Sequence, residues 1–270
     1  MIRFFLILFL FCSGIVFLPA GEKKVVSLSP ALTELVFHLG KGGSLIGRSS
    51  VCDYPAESAK IEILGDFGEP HVEKILRLKP DLLISNDFAR PEVEKIFTKA
   101  GIRVIRKQCG NLDEYASWVE LLGKELGCMD LAEKELKRIE KKLTEFQKNA
   151  QKIRKKQRVC WVIWDSPLMI AGKGSLPDSV IRYAGAENIA GSVTPEYIKA
   201  SFDWLIRMQP DVIIWTCTRK LDRKHRFWKV LKAVQQNRVI FAPDSSLLQR
   251  SGPRIFDGIE QLRQQLEGLR

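Results

Sequence analysis

The sequence predicts an α/β protein of two Rossmann-like lobes, each built on a mainly parallel sheet, with one long interdomain helix between them. Three observations carry the prediction. The segment Val72–Ile84 recurs 130 positions later as Phe202–Ile214, and each copy runs from an acid-bearing amphipathic turn through Pro-Asp into an apolar β-branched stretch. Proline ends a helix and pushes the residue before it toward extended backbone, while an uninterrupted apolar run suits a strand covered on both faces. Short apolar runs alternate with helical patterns on both sides of the chain's middle, an order that calls for parallel sheets clad by helices. Between them, Ala132, Leu136, Ile139, Leu143, Phe146, Ala150 and Ile153 alternate steps of four and three, one narrow apolar stripe on a long charged helix.

In the first lobe, Val25–Leu28 reads as a strand and Pro30–Leu39 as a helix ended by Gly40. Leu45–Gly47, Leu82–Ser85 and Arg103–Ile105 supply further strands, and Glu114–Leu126 closes the lobe as a helix. The pattern restarts with a strand at Val159–Ile163 and a helix at Leu176–Tyr183. Strands at Val212–Trp215 and Val239–Phe241 follow, and a last helix at Ile255–Leu266. The divisions expected are 1–20, 21–128 for the N-terminal lobe, 129–157 for the connecting helix and 158–270 for the C-terminal lobe.

Residues 1–20 are set apart by composition. Arg3 leads into an apolar run from Phe4 to Phe17, and small residues follow. The run is short of the roughly 20 residues that span a bilayer, so it reads as a secretory signal, with an uncleaved anchor as the alternative. Export implies an oxidising compartment. Five cysteines lie beyond that segment (Cys52, Cys109, Cys128, Cys160 and Cys217), and without close-spaced pairs they read mostly as buried thiols, one disulfide remaining open.

The net charge of +11 is concentrated in part on Asp130–Arg158, where eleven Lys or Arg face five Asp or Glu. Such a face is usually solvated, and an exported chain rarely meets nucleic acid, so no nucleic-acid partner is expected. Catalytic signatures are missing. His38, His71 and His225 are scattered without ligand spacing, and Gly172–Ser175 lacks the full phosphate-loop pattern. No residue pairs as nucleophile and base. Neither an enzyme nor a dedicated metal or cofactor site is expected.

Ligands of open α/β sheets lie beyond the carboxyl ends of the strands. That rule selects Ser29 and Pro30; Val51, Asp53 and Tyr54; Asn86, Asp87 and Phe88; Trp164 and Asp165; and Ser246, Leu247, Leu248, Gln249 and Arg250. Phe67, just before the first copy of the repeat, joins them. Aromatic and apolar side chains with a few polar ones suit a large, partly apolar small molecule.

Val25–Leu35, Asp53-Tyr54-Pro55, Leu78–Ile84, Ala184–Ile189 and Ser251–Arg254 together resemble the ABC-transporter solute-binding proteins of the iron-siderophore and cobalamin class, over nearly the whole length after residue 20. Within it, the likeness is nearest to members that bind cobalamin. The resemblance implies a class III periplasmic-binding-protein fold and a monomer outside the cytoplasm. It would capture cobalamin or a similar bulky metal chelate and deliver it to an ABC importer, a permease dimer with its ATPase subunits. A ferric siderophore or haem is the alternative ligand, and a tethered sensor without transport is the alternative role. Any metal arrives inside the chelate. The class docks one acid per lobe onto permease arginines, which by position implies Glu73 and Asp203, the latter shorter than the glutamate usual there. Val51 and Phe67 replace larger aromatics of the cobalamin-binding pattern, and Ser246–Arg250 replaces an aromatic-rich loop.

Overall fold

A computed structural model describes residues 21–88, 90–242 and 246–270. The expected signal at 1–20 lies outside them. The first half contributes β1 (Val25–Ser27), α1 (Pro30–His38), β2 (Leu45–Arg48), a two-stranded hairpin β3 (Gly65–Asp66) and β4 (Glu69–Pro70), and α2 (Val72–Leu78). Then come β5 (Leu82–Ser85), α3 (Glu92–Lys99), β6 (Arg103–Arg106) and α4 (Leu112–Glu125). Strands pair in the order β2-β1-β5-β6, all parallel. Val25, Leu82 and Ile84 enter one core with α1 and α4, while Val26 and Leu83 enter another with Ile75 and Phe97. Both faces are covered, which is why these strands lack polar alternation.

The second half begins with α5 (Met129–Gln151), β7 (Arg158–Asp165), β8 (Leu168–Ala171), α6 (Leu176–Tyr183), β9 (Glu187–Asn188) and β10 (Tyr197–Lys199). It continues with α7 (Phe202–Met208), β11 (Val212–Trp215), α8 (Lys232–Gln235), β12 (Val239–Phe241), α9 (Ser246–Gln249) and α10 (Ile255–Gly268). The sheet order is β10-β8-β7-β11-β12, with β9 beside β7. Strands β7, β9, β11 and β12 are parallel; β8 runs against both of its neighbours, β7 and β10, so β10 points the same way as β7. The antiparallel pair departs from a loop expected after Ile163. Strand β7 runs on to Asp165 and turns straight back into β8, so Trp164 and Asp165 stand at a hairpin end. Gly172–Ser175 is spent on structure: Ser175 Oγ accepts from Asp178 N at 3.2 Å to cap α6, and Lys173 N donates to Val193 O.

The two copies of the repeat fold alike in detail. Each helix ends on a left-handed residue, Lys79 at φ 47° and Gln209 at φ 41°. In each, the aspartate after proline then ties the strand to its sheet. Asp81 Oδ2 accepts from Lys24 N at 2.8 Å, and Asp211 Oδ2 accepts from Arg158 N at 2.8 Å. The return bonds match too, Asp81 N to Lys24 O and Asp211 N to Arg158 O. Each Pro-Asp therefore fastens β5 or β11 to the entry of the neighbouring strand, β1 or β7.

Helix α5 joins the sheets. Its first half packs on α4, and its second half meets α6 and the Phe256 ring of α10, which stacks on Phe146 with centroids 6.5 Å apart. Ala132, Ile139, Phe146 and Ala150 are buried as the stripe predicts. Glu135 is buried as well, against the expectation for a charged face.

Candidate functional site

Residues 49–54, after β2, are drawn inward by small polar side chains. Thr33 Oγ1 donates to Ser27 Oγ at 2.8 Å and lies 3.1 Å from Cys52 Sγ, and Ser49 Oγ lies 3.1 Å from the same sulfur. Cys52 is fully buried, so the loop turns its neighbours outward: Val51 is 40% and Tyr54 44% exposed. The β3–β4 hairpin is tied to this loop by Ser50 N to Gly65 O (2.8 Å) and Ser50 Oγ to Asp66 Oδ1 (2.5 Å). Its tip carries Phe67, 58% exposed. Adding a Cβ at Gly65 (φ 151°) would bring it within 2.5 Å of Glu69 O, so the tight hairpin requires glycine there.

The segment Arg250–Arg254 straps this loop to the other half of the chain. Arg250 Nη1 donates to Asp53 Oδ1 at 2.6 Å and to Glu34 Oε1 at 3.1 Å, and its Nη2 to Val51 O at 3.3 Å. Arg254 grips Glu34 twice, at 2.7 and 2.8 Å, with its guanidinium 3.8 Å from the Tyr54 ring centroid. The Arg250 hydrogen bond holds the Asp53 carboxyl below its ordinary range. Cys109 Sγ bonds Ser251 O at 3.3 Å, and Arg138 of α5 bonds Pro253 O at 2.9 Å.

Arg138 leads into a second network. Glu135 takes Arg138 at 2.6 and 2.8 Å and Tyr115 Oη at 2.8 Å, and His38 Nε2 lies 2.8 Å from its Oε2. Burial would raise the Glu135 carboxyl, but bonds from His38, Arg138 and Tyr115 outweigh it and hold the group at about 2. Helices α1, α4 and α5 thus meet on one carboxylate, and Arg138 links it to the strap.

A cavity of about 210 Å³ lies between the halves, lined by Cys109, Gly110, Ile163, Leu176, Pro177, Tyr197, Gln249 and Ser251. Of these, only Gln249 had been selected. Tyr197, 43% exposed, opens β10, a strand the periodicity did not mark. Trp164 is 46% exposed with its Nε1 on Ser166 O, and Asp165 lies 3.8 Å from Arg219.

The remaining selected residues fall differently. Phe88 is 3% exposed against the Phe97 ring and Leu248 is 7% exposed, so both side chains serve packing; apolar residues next to a strand end or in a short helix are drawn inward. Asp87 accepts from Phe88 N at 2.8 Å and Arg106 at 3.0 Å, which holds its carboxyl low and engages it locally. Pro30 is the buried first residue of α1. The Ser29 and Ser251 hydroxyls and Asn86 Oδ1 are buried without hydrogen-bond partners among the described residues. Leu247 is half-buried; the Ser246 side chain lies outside the described residues.

Glu73 and Asp203 occupy the same helical position, second in α2 and α7, and both are exposed. Neither carboxylate makes an ion pair among the described residues. The five described cysteines are free, and burial pushes the Cys109 and Cys160 thiols up to about 12.

Comparison with known proteins places these features. The chain is 29% identical over 253 residues to an uncharacterized ABC transporter substrate-binding lipoprotein of Bacillus subtilis, covering 90% of this chain and 80% of that one. It is 26% identical over 251 residues to the vitamin B12-binding protein of Vibrio cholerae, covering 90% and 89%. The crystal structure of a periplasmic vitamin B12 binding protein of Vibrio cholerae superposes with a TM-score of 0.77 at 25% identity, over 92% of this chain and 98% of that one. A periplasmic heme-binding protein of Roseiflexus shares the fold at a TM-score of 0.82 and 24% identity, over 92% and 99%. The family described as periplasmic binding protein matches residues 25–245. That span takes in both sheets and the helix joining them, and the chain belongs to the periplasmic binding protein family.

Proposed function

We propose that the protein is the extracytoplasmic solute-binding component of an ABC importer and captures cobalamin or a comparable bulky metal chelate between its two halves. The observation that carries the reading is a set of large apolar side chains held open to solvent on the loops and strand ends of both halves: Val51, Tyr54, Phe67, Trp164 and Tyr197 are each between 40% and 58% exposed, and Tyr197 lines the interlobe cavity. Burial on ligand binding is the natural use of such a surface. The relatives named as substrate-binding or vitamin B12-binding proteins support the class, and haem or a ferric siderophore stands beside cobalamin as ligand. The cavity alone is smaller than the roughly 300–1,000 Å³ that encloses a drug-sized ligand. The chelate therefore lies against the open side chains rather than inside a closed pocket.

No covalent step is required. The metal travels within its chelate, and the family and its relatives are binding proteins. Glu73 and Asp203, one on each half, present the two acids that a two-subunit permease engages, its ATPase subunits driving transport. The protein acts as a monomer outside the cytoplasm, in the periplasm or tethered to the membrane by its N-terminal segment; the words lipoprotein and periplasmic in the names of its relatives support the location. Because Tyr54 and Trp164 are nearly half exposed, Tyr54→Ala with Trp164→Ala is expected to lower the melting temperature of the unliganded protein only slightly, through loss of the Arg254–Tyr54 contact and the Trp164 Nε1–Ser166 O bond. The same pair weakens chelate binding at least about tenfold, each stacked ring contributing about 1 kcal/mol. Titration against cobalamin, haem and a ferric siderophore reads the effect; unchanged affinity for the chelate that binds the parent would remove these residues from the site.

A further inference from the structure

The internal repeat makes one asymmetry conspicuous. Six residues separate β5 from α3 in the first half, whereas sixteen separate β11 from α8 in the second. The short connection, residues 86–91, holds one acid and one base. The long one, residues 216–231, holds Arg219, Lys220, Arg223, Lys224, Arg226 and Lys229 against the single acid Asp222, and Lys232 follows at the start of α8.

This connection is a built surface. Leu221, Trp228 and Leu231 are buried, and Trp228 packs edge-on against both Trp215 and Phe202 at 5.1 Å. Phe227 stacks on Phe202 at 4.5 Å, so the loop is clamped onto the first residue of α7, beside Asp203. The anchors leave all seven cations exposed. Asp222 is engaged with its own loop, accepting from Lys224 N at 3.0 Å. Arg219 reaches Asp165 only at 3.8 Å, and Arg223 bonds the neutral Asn237 side chain. Lys220, Lys224, Arg226, Lys229 and Lys232 make no ion pair among the described residues. Apolar groups stand among the cations: Val230 is 40% and Phe241 42% exposed, with the Arg223 guanidinium 6.0 Å from the Phe241 ring and Arg226 4.5 Å from that of Phe227. The basic helix α5 differs, since its cations alternate with acids, and Arg138 pairs with Glu135 and Lys142 with Glu145.

We infer that residues 219–232 with Phe241 form a surface that binds anionic phospholipid headgroups, one that the first half of the molecule does not have. Clustered cations read the phosphate-rich plane, and the scattered apolar side chains enter the interfacial layer, a combination suited to a bilayer surface. The patch adjoins Asp203, so lipid contact and the proposed docking acid share one end of the second half. The inference adds to the docking reading, and its test measures lipid alone, so either can fail without the other.

The test uses the full-length protein co-floated with vesicles of phosphatidylcholine, or of phosphatidylcholine with phosphatidylglycerol, at low and high salt. Residues 1–20 are present in every variant, and the zwitterionic vesicles report their contribution. The anionic vesicles are expected to bind more protein, with the difference removed by salt. The triple variant Lys224→Glu, Arg226→Glu, Lys229→Glu is expected to lower partition onto anionic vesicles about a hundredfold. The matched variant Lys137→Glu, Lys141→Glu, Lys148→Glu on α5 removes the same charge and is expected to bind as the parent does. Equal loss in both variants would mean that net charge alone governs binding and would overturn the proposal. So would parental vesicle binding by the loop variant, including when chelate import is lost, which would point to an acidic protein surface instead.

Discussion

Glu135→Gln is expected to destabilise the protein by about 3 kcal/mol at neutral pH, measured by urea unfolding. Removing one member of a buried ion pair typically costs about 3–5 kcal/mol, and the lower end applies because Arg138 and His38 each reach solvent. Glutamine preserves shape yet withdraws the charge shared by α1, α4 and α5. The same carboxylate predicts an acid limb. Its folded value of about 2 lies below the ordinary 4.5, so its stabilisation is complete above about pH 4.5 and is lost as pH falls toward 2. That loss is about 3 kcal/mol for this group. The parent should therefore weaken steeply between pH 4.5 and 2, and Glu135→Gln should show a shallower fall. Parallel pH profiles would show that the network does not hold the charged form. Because Arg138 also bonds Pro253 O, the variant should increase hydrogen exchange in the strap residues 250–254.

Reversing both proposed docking acids, Glu73→Arg with Asp203→Arg, is expected to reduce chelate uptake by cells on the order of a hundredfold or more, since like charges placed opposite one another cost several kcal/mol. Each single reversal should fall between parent and double variant. Both side chains are exposed and make no ion pair among the described residues, so melting temperature and chelate affinity of the purified protein should not change. Uptake at the parental rate by the double variant would dismiss the docking role and favour a tethered protein without transport.

The fold was legible because its strongest signals are local and periodic. The Leu-Leu-Ile and Val-Ile-Ile runs, the stop at Pro-Asp and the stripe of α5 follow from backbone geometry and burial. Strands β8 and β10 were missed because an antiparallel strand of three or four residues has too short a period to separate from a loop. The candidate site was only partly legible. The loop rule found Val51, Tyr54, Phe67 and Trp164, all held open to solvent. It also selected Phe88 and Leu248, whose position beside strand ends says nothing about which way they turn. Glu34, Arg254 and Tyr197 were missed because their roles arise from tertiary contact: Glu34 lies on a helix buried on nearly every side, and its partners are more than 200 positions away.

The pairing of His38 with Glu135 belongs to the same class. The sequence shows a histidine on an apolar helix and a glutamate on a charged one, and only packing of α1 against α5 joins them. The Pro-Asp aspartates, by contrast, repeat in sequence and repeat their hydrogen bonds, so their structural role is readable once one copy is seen.

The central claim, capture of a metal chelate, is tested most directly by thermal unfolding of the full-length protein with cobalamin, haem or a ferric siderophore. A bound ligand at about a hundred times its dissociation constant stabilises by about 2.7 kcal/mol, which for a chain of this size raises the melting temperature by about 5–10 °C. At least one of the three chelates is predicted to produce that shift; the absence of a shift with all of them would contradict the account.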